Sequence, residues 1–252
     1  MKTIDLNCDM GEIPEAIADG TQESLMPSLT SVNIACGGHA GDQQTMRMTI
    51  EQAQRWNLAV GAHPGYPDRE NFGRVELKMP LQAVSDSVYE QVKTFARIAA
   101  GLNAPVIHVK PHGALYNQAV RDLELAQAIA DGVARWSKKV ALMGLAGSQM
   151  LEVFRKVGFT VAAEAFADRR YETDGSLRSR KFEDSLLRNP ADAARQALRI
   201  VEQGSVIACD GSEVFLSAQT ICIHGDTPGA PQIAAAVAST LRAAQVQLKG
   251  LA

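Results

Sequence analysis

The sequence predicts an α/β fold, specifically a TIM-like (β/α) barrel of seven or eight units. Strand-like apolar segments alternate with helical segments over all 252 residues, a pattern typical of a parallel sheet with crossover helices. No Pro/Gly/Ser-rich linker divides the chain, so we expect a single barrel domain over residues 1–252. The first strand is followed by DMGEIPEA rather than GxGxxG, which makes a doubly wound open sheet the second choice.

The elements follow from the apolar segments and from the residues that begin and end helices. The predicted strands are 2–8, 30–36, 58–63, 105–110, 140–145, 160–165, 205–209 and 219–224. The predicted helices are 42–57, 80–102, 119–137, 147–157, 190–203 and 228–246. Asp42 is a predicted N-cap, helices are expected to begin at Pro80, Pro190 and Pro228, and Gly101 marks the end of the second helix.

Composition narrows the functional class. The net charge is −3, with 46% hydrophobic and 21% charged residues, and no basic stripe indicates a nucleic-acid partner. No apolar run approaches transmembrane length and the N-terminus has no signal-peptide core. The four cysteines lack CxxC spacing, so we interpret them as reduced thiols. We therefore expect a cytoplasmic protein that binds neither membrane nor nucleic acid.

The five histidines all lie in, or directly after, predicted strands: His39, His63, His108, His112 and His224. In a (β/α) barrel the active site forms at the C-terminal ends of the strands. The placement therefore predicts one polar pocket that collects imidazoles from several strands, and favours an enzyme. His108 lies deeper in its strand than the others, and a hydrogen-bonded core histidine is the alternative for it.

The first strand ends in DLNCDMGE, where alternation places Asp5, Asn7 and Asp9 on one side. These groups can bind a metal ion, act as a general base or accept hydrogen bonds from a substrate ammonium, and Glu12 lies one turn later. A solvated strand end with turn-forming residues is the alternative. After the second strand, the glycines of NIACGGHAGD allow His39 to turn towards a ligand; a capped helix with an incidental histidine is the alternative.

The loop GAHPGYPDRENFGR follows the third strand, with His63 at its start and Arg74 at its end. Its two prolines make it stiff, and Arg74 can hold a carboxylate or phosphate in a bidentate fork. Asp68 and Arg69 in the same loop can simply pair with each other.

In HVKPHGALYN, alternation places Lys110 and His112 on one side of the fourth strand. A lysine in an apolar strand needs an acidic partner or a wet pocket, and Lys110 can stabilise an oxyanion. His112, at the strand end, is a predicted general acid or base.

Two later segments add further charged groups. Glu164, Asp168 and Arg169 cluster in EAFADRRYETDG, although Asp168 and Arg169 can also form a structural ion pair. His224 and Asp226 end the strand ICIHGD, although Asp226 can also be the N-cap of the last helix, with Pro228 at N1.

Spacing alone leaves the type of chemistry open. A carboxylate with two histidines, such as Asp9, His39 and His63, can bind a divalent ion and activate water. The same groups can act as acid and base without a metal ion. GxSxG, HExxH and Walker A motifs do not occur in the sequence.

Six motifs together resemble one family. DLNCDMGE, NIACGGHAGD, GAHPGYPD with FGR, HVKPHGALYN, FADRRY and ICIHGDTP follow one another between residue 3 and about 230 as they do in the LamB/YcsF family, the A subunits of 5-oxoprolinase. The resemblance implies a barrel like that of the glycoside hydrolase/deacetylase superfamily. It also implies ATP-dependent opening of 5-oxo-L-proline to L-glutamate, with ADP and phosphate as co-products, in a complex with partner subunits B and C.

Opening a lactam in this way needs a base, an acid for the ring nitrogen, and cations for the developing anion. We assign the role of general base to Asp9 or His39 and the role of proton donor to His112 or His224. Lys110 with Arg74 is assigned to stabilise the anion. His63 and Glu164 complete the predicted catalytic set. The predicted substrate-binding residues are Asn7, Glu12, Arg74, Asp168, Arg169 and Asp226. ATP, with Mg²⁺, is the expected cofactor, bound by this chain or used by its partners.

Two other functions stay open at this point. A metal-dependent deacetylase or carbohydrate hydrolase would hold a divalent ion at residues such as Asp9, His39 and His63 and would not need ATP. A non-catalytic carrier protein would bind ligand without turnover, but it would gain nothing from so many titratable groups at strand ends.

Overall fold

The structure is a computed structural model that describes residues 1–251. Its strands are β1 (Thr3–Met10), β2 (Ser31–Ala35), β3 (Ala59–His63), β4 (Val106–Val109), β5 (Ala141–Leu145), β6 (Thr160–Phe166), β7 (Ser205–Ile207), β8 (Glu213–Phe215), β9 (Thr220–Cys222) and β10 (Gln247–Leu248). Its helices are α1 (Pro14–Ala18), α2 (Gln43–Arg55), α3 (Leu81–Gly101), α4 (Gly113–Ala119), α5 (Leu123–Trp136), α6 (Met150–Val157), α7 (Pro190–Gln203) and α8 (Ala230–Ala243). Short 3-10 helices lie at Glu23–Ser28 and Glu183–Ser185.

Seven parallel strands form a closed barrel in the order β1-β2-β3-β4-β5-β6-β9, and β9 pairs back with β1. The predicted TIM-like (β/α) barrel is therefore confirmed, with seven barrel strands. The short strand β10 extends the sheet beside the start of β1, where Thr3 is opposite Gln247. Ala252, which the predicted single domain includes, lies outside the described residues.

The predicted strand 205–209 is not a barrel strand. Its observed part, β7, pairs antiparallel with β8 in a separate hairpin in which Ile207 and Phe215 are exposed. Gly211 in the connecting CDGS segment has φ +89°, which suits a tight turn. An Asp-Gly pair between two apolar segments is a hairpin signal, and it outweighs the apolar character of the segment.

Most predicted helices form, with shifted ends. Asp42 caps α2 through a reciprocal capping box with Thr45. The predicted helix 119–137 is instead two helices, because α4 ends at Ala119 and Asp122 caps the start of α5. The last helix begins at Ala230 with Gly229 as its N-cap, so Pro228 does not occupy its first turn. None of the helices within residues 1–251 is long and apolar enough to cross a bilayer.

Strand alternation divides the buried residues between two layers. Leu6 and Val32 belong to the apolar core, which also includes Ile50 of α2 and Phe95 of α3. On the alternate positions, Asn7, Asn33 and other buried polar residues hydrogen-bond to one another across the strands. Alternate positions of the strands therefore place polar side chains on one face of the sheet, and this polar layer continues to the C-terminal ends of the strands.

Candidate active site

A cavity of about 520 Å³ opens at the C-terminal ends of the barrel strands. Its lining includes six residues from the predicted site that lie at or directly after β1, β3, β4 and β9: Asp9, Glu12, His63, Lys110, His112 and His224. Closure of the barrel brings these residues together from positions throughout the sequence. Imidazoles, carboxylates and a lysine therefore line one cavity, as the placement of the histidines at strand ends predicts.

Lys110 is buried at the floor of the cavity between two carboxylates. Its Nζ lies 2.9 Å from Asp9 Oδ1 and 2.8 Å from Glu164 Oε1. Burial disfavours the ammonium, but the negative charge of its neighbours, Asp9 foremost, holds the pKa of Lys110 well above its usual value. Lys110 therefore stays a positively charged ammonium at the floor of the cavity. Asp9 and Glu164 are the acidic partners that the sequence analysis expected for this lysine.

Below the cavity, amides hold the two carboxylates in place. Asn7 donates to Glu164 over 3.0 Å, and Asn33 donates to Asn7 over 2.7 Å and to Asp9 over 2.8 Å. His108 Nε2 lies 2.7 Å from Asn33 Oδ1 and is completely buried. His108 is thus the hydrogen-bonded core histidine of the alternative interpretation. Asn7 does not line the cavity and positions Glu164 instead.

Glu12 collects three histidines around one carboxylate. Its Oε1 lies 3.0 Å from His39 Nε2, 3.2 Å from His112 Nδ1 and 3.8 Å from His63 Nε2. The rings of His39 and His112 stack with centroids 3.6 Å apart. Burial would raise the pKa of Glu12, but hydrogen bonds and charge from His112 and His39 hold it well below its usual range.

The backbone contacts of two histidines fix their tautomers. His63 Nδ1 lies 2.7 Å from the Lys110 carbonyl and His112 Nε2 lies 2.9 Å from the Phe72 carbonyl. A carbonyl only accepts, so both nitrogens must carry hydrogen. The remaining nitrogens, His63 Nε2 and His112 Nδ1, face each other at 2.9 Å beside Glu12. Two lone pairs and a carboxylate would repel, so a proton or a metal ion belongs between them.

His224 is oriented by Asp168. The Asp168 carboxylate accepts from the His224 backbone N–H and from Nδ1, each over 2.9 Å. The Nε2 atom of His224 is left to serve the cavity that this residue lines. Burial raises the pKa of Asp168, but His224 more than offsets it and keeps the pKa lowered. No ion pair joins Asp168 to Arg169 in the described residues, so that alternative interpretation is wrong.

Asp226 links two arginines at the cavity mouth. Its carboxylate pairs with Arg74 and lies 3.5 Å from Arg180 Nη1. Because Gly229 is the N-cap of α8, the alternative in which Asp226 caps that helix is wrong. The alternative pair in the preceding loop is also not formed: Asp68 accepts from Asn71, and Arg69 donates to the carbonyls of Gly37 and Gly41.

The predicted site residues divide by depth. Those that line the cavity are Asp9, Glu12, His63, Arg74, Lys110, His112, Arg169, His224 and Asp226. The others, Asn7, His39, Glu164 and Asp168, are buried behind that lining. Sequence reasoning missed Tyr116 and Arg180, which both line the cavity. Tyr116 follows His112 by one helical turn, a spacing that signals a shared face, whereas Arg180 carries no local signal.

The comparisons with known proteins agree with the motifs. The model of the LamB/YcsF family matches residues 4–252. The chain belongs to this family. It is 48% identical over 249 residues to the A subunit of 5-oxoprolinase from Chloroflexus aggregans, covering 99% of both chains.

Solved structures extend the likeness to three dimensions. The lactam utilization protein from Thermus thermophilus superposes with a TM-score of 0.92 at 40% identity, covering 100% of both chains. A T48 deacetylase with substrate gives a TM-score of 0.50 at 12% identity, over 99% of this chain and 88% of the other. At that identity the second likeness concerns the barrel fold alone.

Proposed function

We propose that this chain is the lactam-opening component of an ATP-dependent 5-oxoprolinase, which converts 5-oxo-L-proline, ATP and water to L-glutamate, ADP and phosphate. The observation that carries the proposal is the Glu12–His63–His112 cluster, which stands beside the ammonium of Lys110 in one cavity. Membership of the LamB/YcsF family and near-full-length relatives named as the A subunit of 5-oxoprolinase support it.

The chemistry explains why such a cluster is needed. A five-membered lactam is a stable amide, and transfer of a phosphoryl group to its oxygen activates the carbonyl carbon. Water then adds to that carbon and loses a proton, the ring C–N bond breaks, and the nitrogen gains a proton. The acyl phosphate that results is hydrolysed by a second water to glutamate and phosphate. The enzyme must therefore supply a base, an acid and a fixed positive charge.

The contacts favour particular roles among the predicted residues. Asp9 lines the cavity and is the proposed base, whereas His39 is buried behind Glu12 and positions that carboxylate. A proton held between His63 and His112 would supply the ring nitrogen, with Glu12 stabilising its charge.

Lys110 would stabilise the oxygen of the added water as it loses its proton and becomes negative, with Glu164 holding the ammonium in place. His224, oriented by Asp168, is the second acid in this scheme and protonates the departing phosphoryl group. Arg74, which pairs with Asp226, would bind the oxygens of the same phosphoryl group.

The phosphoryl donor is ATP with Mg²⁺, and the partners are subunits B and C. Since the sequence contains no Walker A motif, we propose that the partner subunits carry out the phosphorylation and that this chain performs the ring opening. The complex would work in the cytoplasm.

Glutamate release from 5-oxoproline tests the proposal. It should be measured with and without ATP, for this chain alone and with subunits B and C, and for the His112→Ala variant. ATP-dependent glutamate that requires this chain and falls at least about a hundredfold in the variant would support it. No glutamate with partners that are active alongside another member of the LamB/YcsF family would refute it.

A metal-dependent hydrolase is the second candidate, and one observation favours it. One donor atom from each of Glu12, His39, His63 and His112 lies within 4.8 Å of the others. The facing lone pairs of His63 and His112, each ring anchored through its other nitrogen to a carbonyl, also suit a metal ion. The predicted set of Asp9, His39 and His63 would then change, with Glu12 and His112 replacing Asp9.

A bound divalent ion would activate water for attack on an amide. Elemental analysis of the purified protein decides between the candidates, with glutamate or acetate release measured in the absence of ATP. One equivalent of metal that is lost in Glu12→Gln, together with ATP-independent hydrolysis, would favour this second function.

A further inference from the structure

Two cations are buried in the part of the chain that the structure describes, and only one of them is neutralised. Lys110 lies between Asp9 and Glu164. Arg169, 5% exposed, has no carboxylate within 4.0 Å among residues 1–251. A buried charge without a partner is unfavourable. A ligand anion would supply the missing partner.

The carboxylate next to Arg169 in the sequence does not pair with it. Asp168 instead accepts two hydrogen bonds from His224. Arg169 donates one Nη2 hydrogen bond to the Arg178 carbonyl over 2.7 Å, while its buried Nε has no hydrogen-bond partner. Burial and the charge of Arg180 lower the pKa of Arg169 to about 10, which still leaves it cationic at neutral pH.

Arg169 lines the cavity of the proposed active site together with two other arginines, Arg74 and Arg180. Those two arginines share the single carboxylate of Asp226. Among the described residues, Asp226 is therefore the one carboxylate that pairs within this group of three arginines, and their excess positive charge attracts an anion to this side of the cavity.

We propose that Arg169, with Arg180 beside it, forms an oxyanion subsite that holds the carboxylate of the lactam acid. The inference rests on the proposed function, and it adds how the acid is recognised: the charged end of the substrate lies at the arginines while the ring lies at Lys110 and the histidines. A guanidinium matches a carboxylate or a phosphoryl group through paired N–H donors. The same subsite chemistry would therefore also accept a phosphoryl group.

Direct binding to the full chain tests the subsite without requiring turnover. Calorimetric titrations would use 5-oxoproline, 2-pyrrolidinone, which is the same lactam without the carboxylate, and inorganic phosphate. The variants are Arg169→Ala, Arg169→Lys and Arg180→Ala, with Arg188→Ala as the control, because Arg188 is an exposed arginine of the same segment. Circular dichroism establishes that each variant folds.

We expect the wild type and Arg188→Ala to bind 5-oxoproline and to bind 2-pyrrolidinone at least about tenfold more weakly. Arg169→Ala and Arg180→Ala should weaken 5-oxoproline binding by at least about tenfold and leave 2-pyrrolidinone unchanged, so that the preference for the acid disappears. Arg169→Lys should retain part of it. If Arg169→Ala does not fold, Arg169→Lys and Arg180→Ala decide.

The outcomes separate this subsite from the proposed function. Arginine-dependent binding of phosphate without 5-oxoproline would keep the oxyanion subsite and assign it to a phosphoryl group. Equal binding of 5-oxoproline by the wild type and the arginine variants would overturn the inference, as would failure of the wild type to bind either anion. Neither of the last two results bears on ATP-dependent glutamate release by the assembled complex, which tests the proposed function separately.

Discussion

Lys110 shows how much a single residue determines here. Its ammonium lies against Asp9, Glu164 and the face of Phe166, whose ring centroid is 5.5 Å from Nζ. Without it, Asp9 and Glu164 would both lose the buried ammonium that pairs with them. Lys110 therefore serves folding as well as the proposed chemistry.

Replacing Lys110 with Met should reduce both activity and stability. We expect the free energy of unfolding at pH 7 to fall by about 3–5 kcal/mol, since Asp9 and Glu164 both lose the buried ammonium that pairs with them. Glutamate formation should fall by about a hundredfold or more. Urea unfolding monitored by circular dichroism and steady-state kinetics measure the two effects. Lys93→Met, at an exposed lysine of α3, should stay within about 0.5 kcal/mol of wild type. Equal stability of both variants would contradict this role.

At the residue scale, the sequence predicts which side chains are functional better than it predicts their partners. A lysine in an apolar strand and histidines at strand ends are local signals, and Lys110, His63 and His112 do line one cavity. Partners depend on which strands are neighbours. Arg180 lies outside the strands and helices, so no periodic pattern in the sequence indicates where its side chain lies. Its contact with Asp226 is seen only in the three-dimensional structure.

At the scale of elements, the loop after β3 packs its backbone against the histidines. Gly73 has φ +63°, and a Cβ there would lie 2.6 Å from the Cβ of His39 and 3.0 Å from His112. Gly65 is similarly close to His39, at 2.6 Å. These glycines let the loop approach the stacked imidazoles, so the loop fixes the geometry of the site from above.

Gly73→Ala should therefore displace the histidines and reduce activity. The added methyl group meets both His39 and His112 and also forces a left-handed backbone on a non-glycine residue. We expect at least about a tenfold lower kcat/KM, with a loss of about 1–3 kcal/mol in the free energy of unfolding. Gly101→Ala is the matched control, because a Cβ there has nothing within 4 Å. It should leave activity unchanged and stability unchanged or slightly raised. Equal activity of the two variants would refute the packing argument.

The element-scale errors have two physical causes. The segment 205–209 is apolar enough for a barrel strand, but the turn that follows it closes a local hairpin with β8 instead. The break between α4 and α5 comes from Asp122, whose side chain accepts from the Leu125 N–H and starts a new helix inside a continuous periodic pattern. Helical periodicity does not reveal such a break, whereas capping residues do.

At the scale of the whole molecule, the alternation of strands and helices predicts the barrel, but not the character of its inside. Asp5 accepts from Ser31 over 2.9 Å and from Thr220, and Asn7 and Asn33 continue the network above it. Alternation identifies this polar face of the first strand. The partners on other strands follow from barrel closure, which a single sequence does not show. The single-domain interpretation stays a prediction.

This polar interior makes stability depend on pH through His108. Burial lowers the pKa of His108 to about 3, from an ordinary value of 6.5. Below pH 6.5 the unfolded chain therefore binds a proton that the folded protein excludes, and stability decreases as the pH falls from 6.5 towards 3. From pH 7 to pH 5 this histidine should contribute a loss of about 2 kcal/mol.

Urea unfolding of wild type and His108→Gln at the two pH values measures that contribution. The variant keeps a donor for Asn33 but no titrating ring, so its stability should change by about 2 kcal/mol less between pH 7 and pH 5. His39, whose pKa burial also lowers to about 3, acts in the same direction and leaves a residual slope. An unchanged slope in His108→Gln would show that His108 does not titrate in this way.

In the proposed function, the carboxylate of Glu12, which lies among three histidines, takes part in opening the lactam. The most direct measurement is kcat/KM for ATP-dependent glutamate formation by the complex with subunits B and C, using Glu12→Gln beside Glu15→Gln. Glu15 is exposed in α1, three residues further along the chain. We predict a fall of about a hundredfold or more for Glu12→Gln and wild-type activity for Glu15→Gln. Wild-type activity in Glu12→Gln would contradict this role of Glu12.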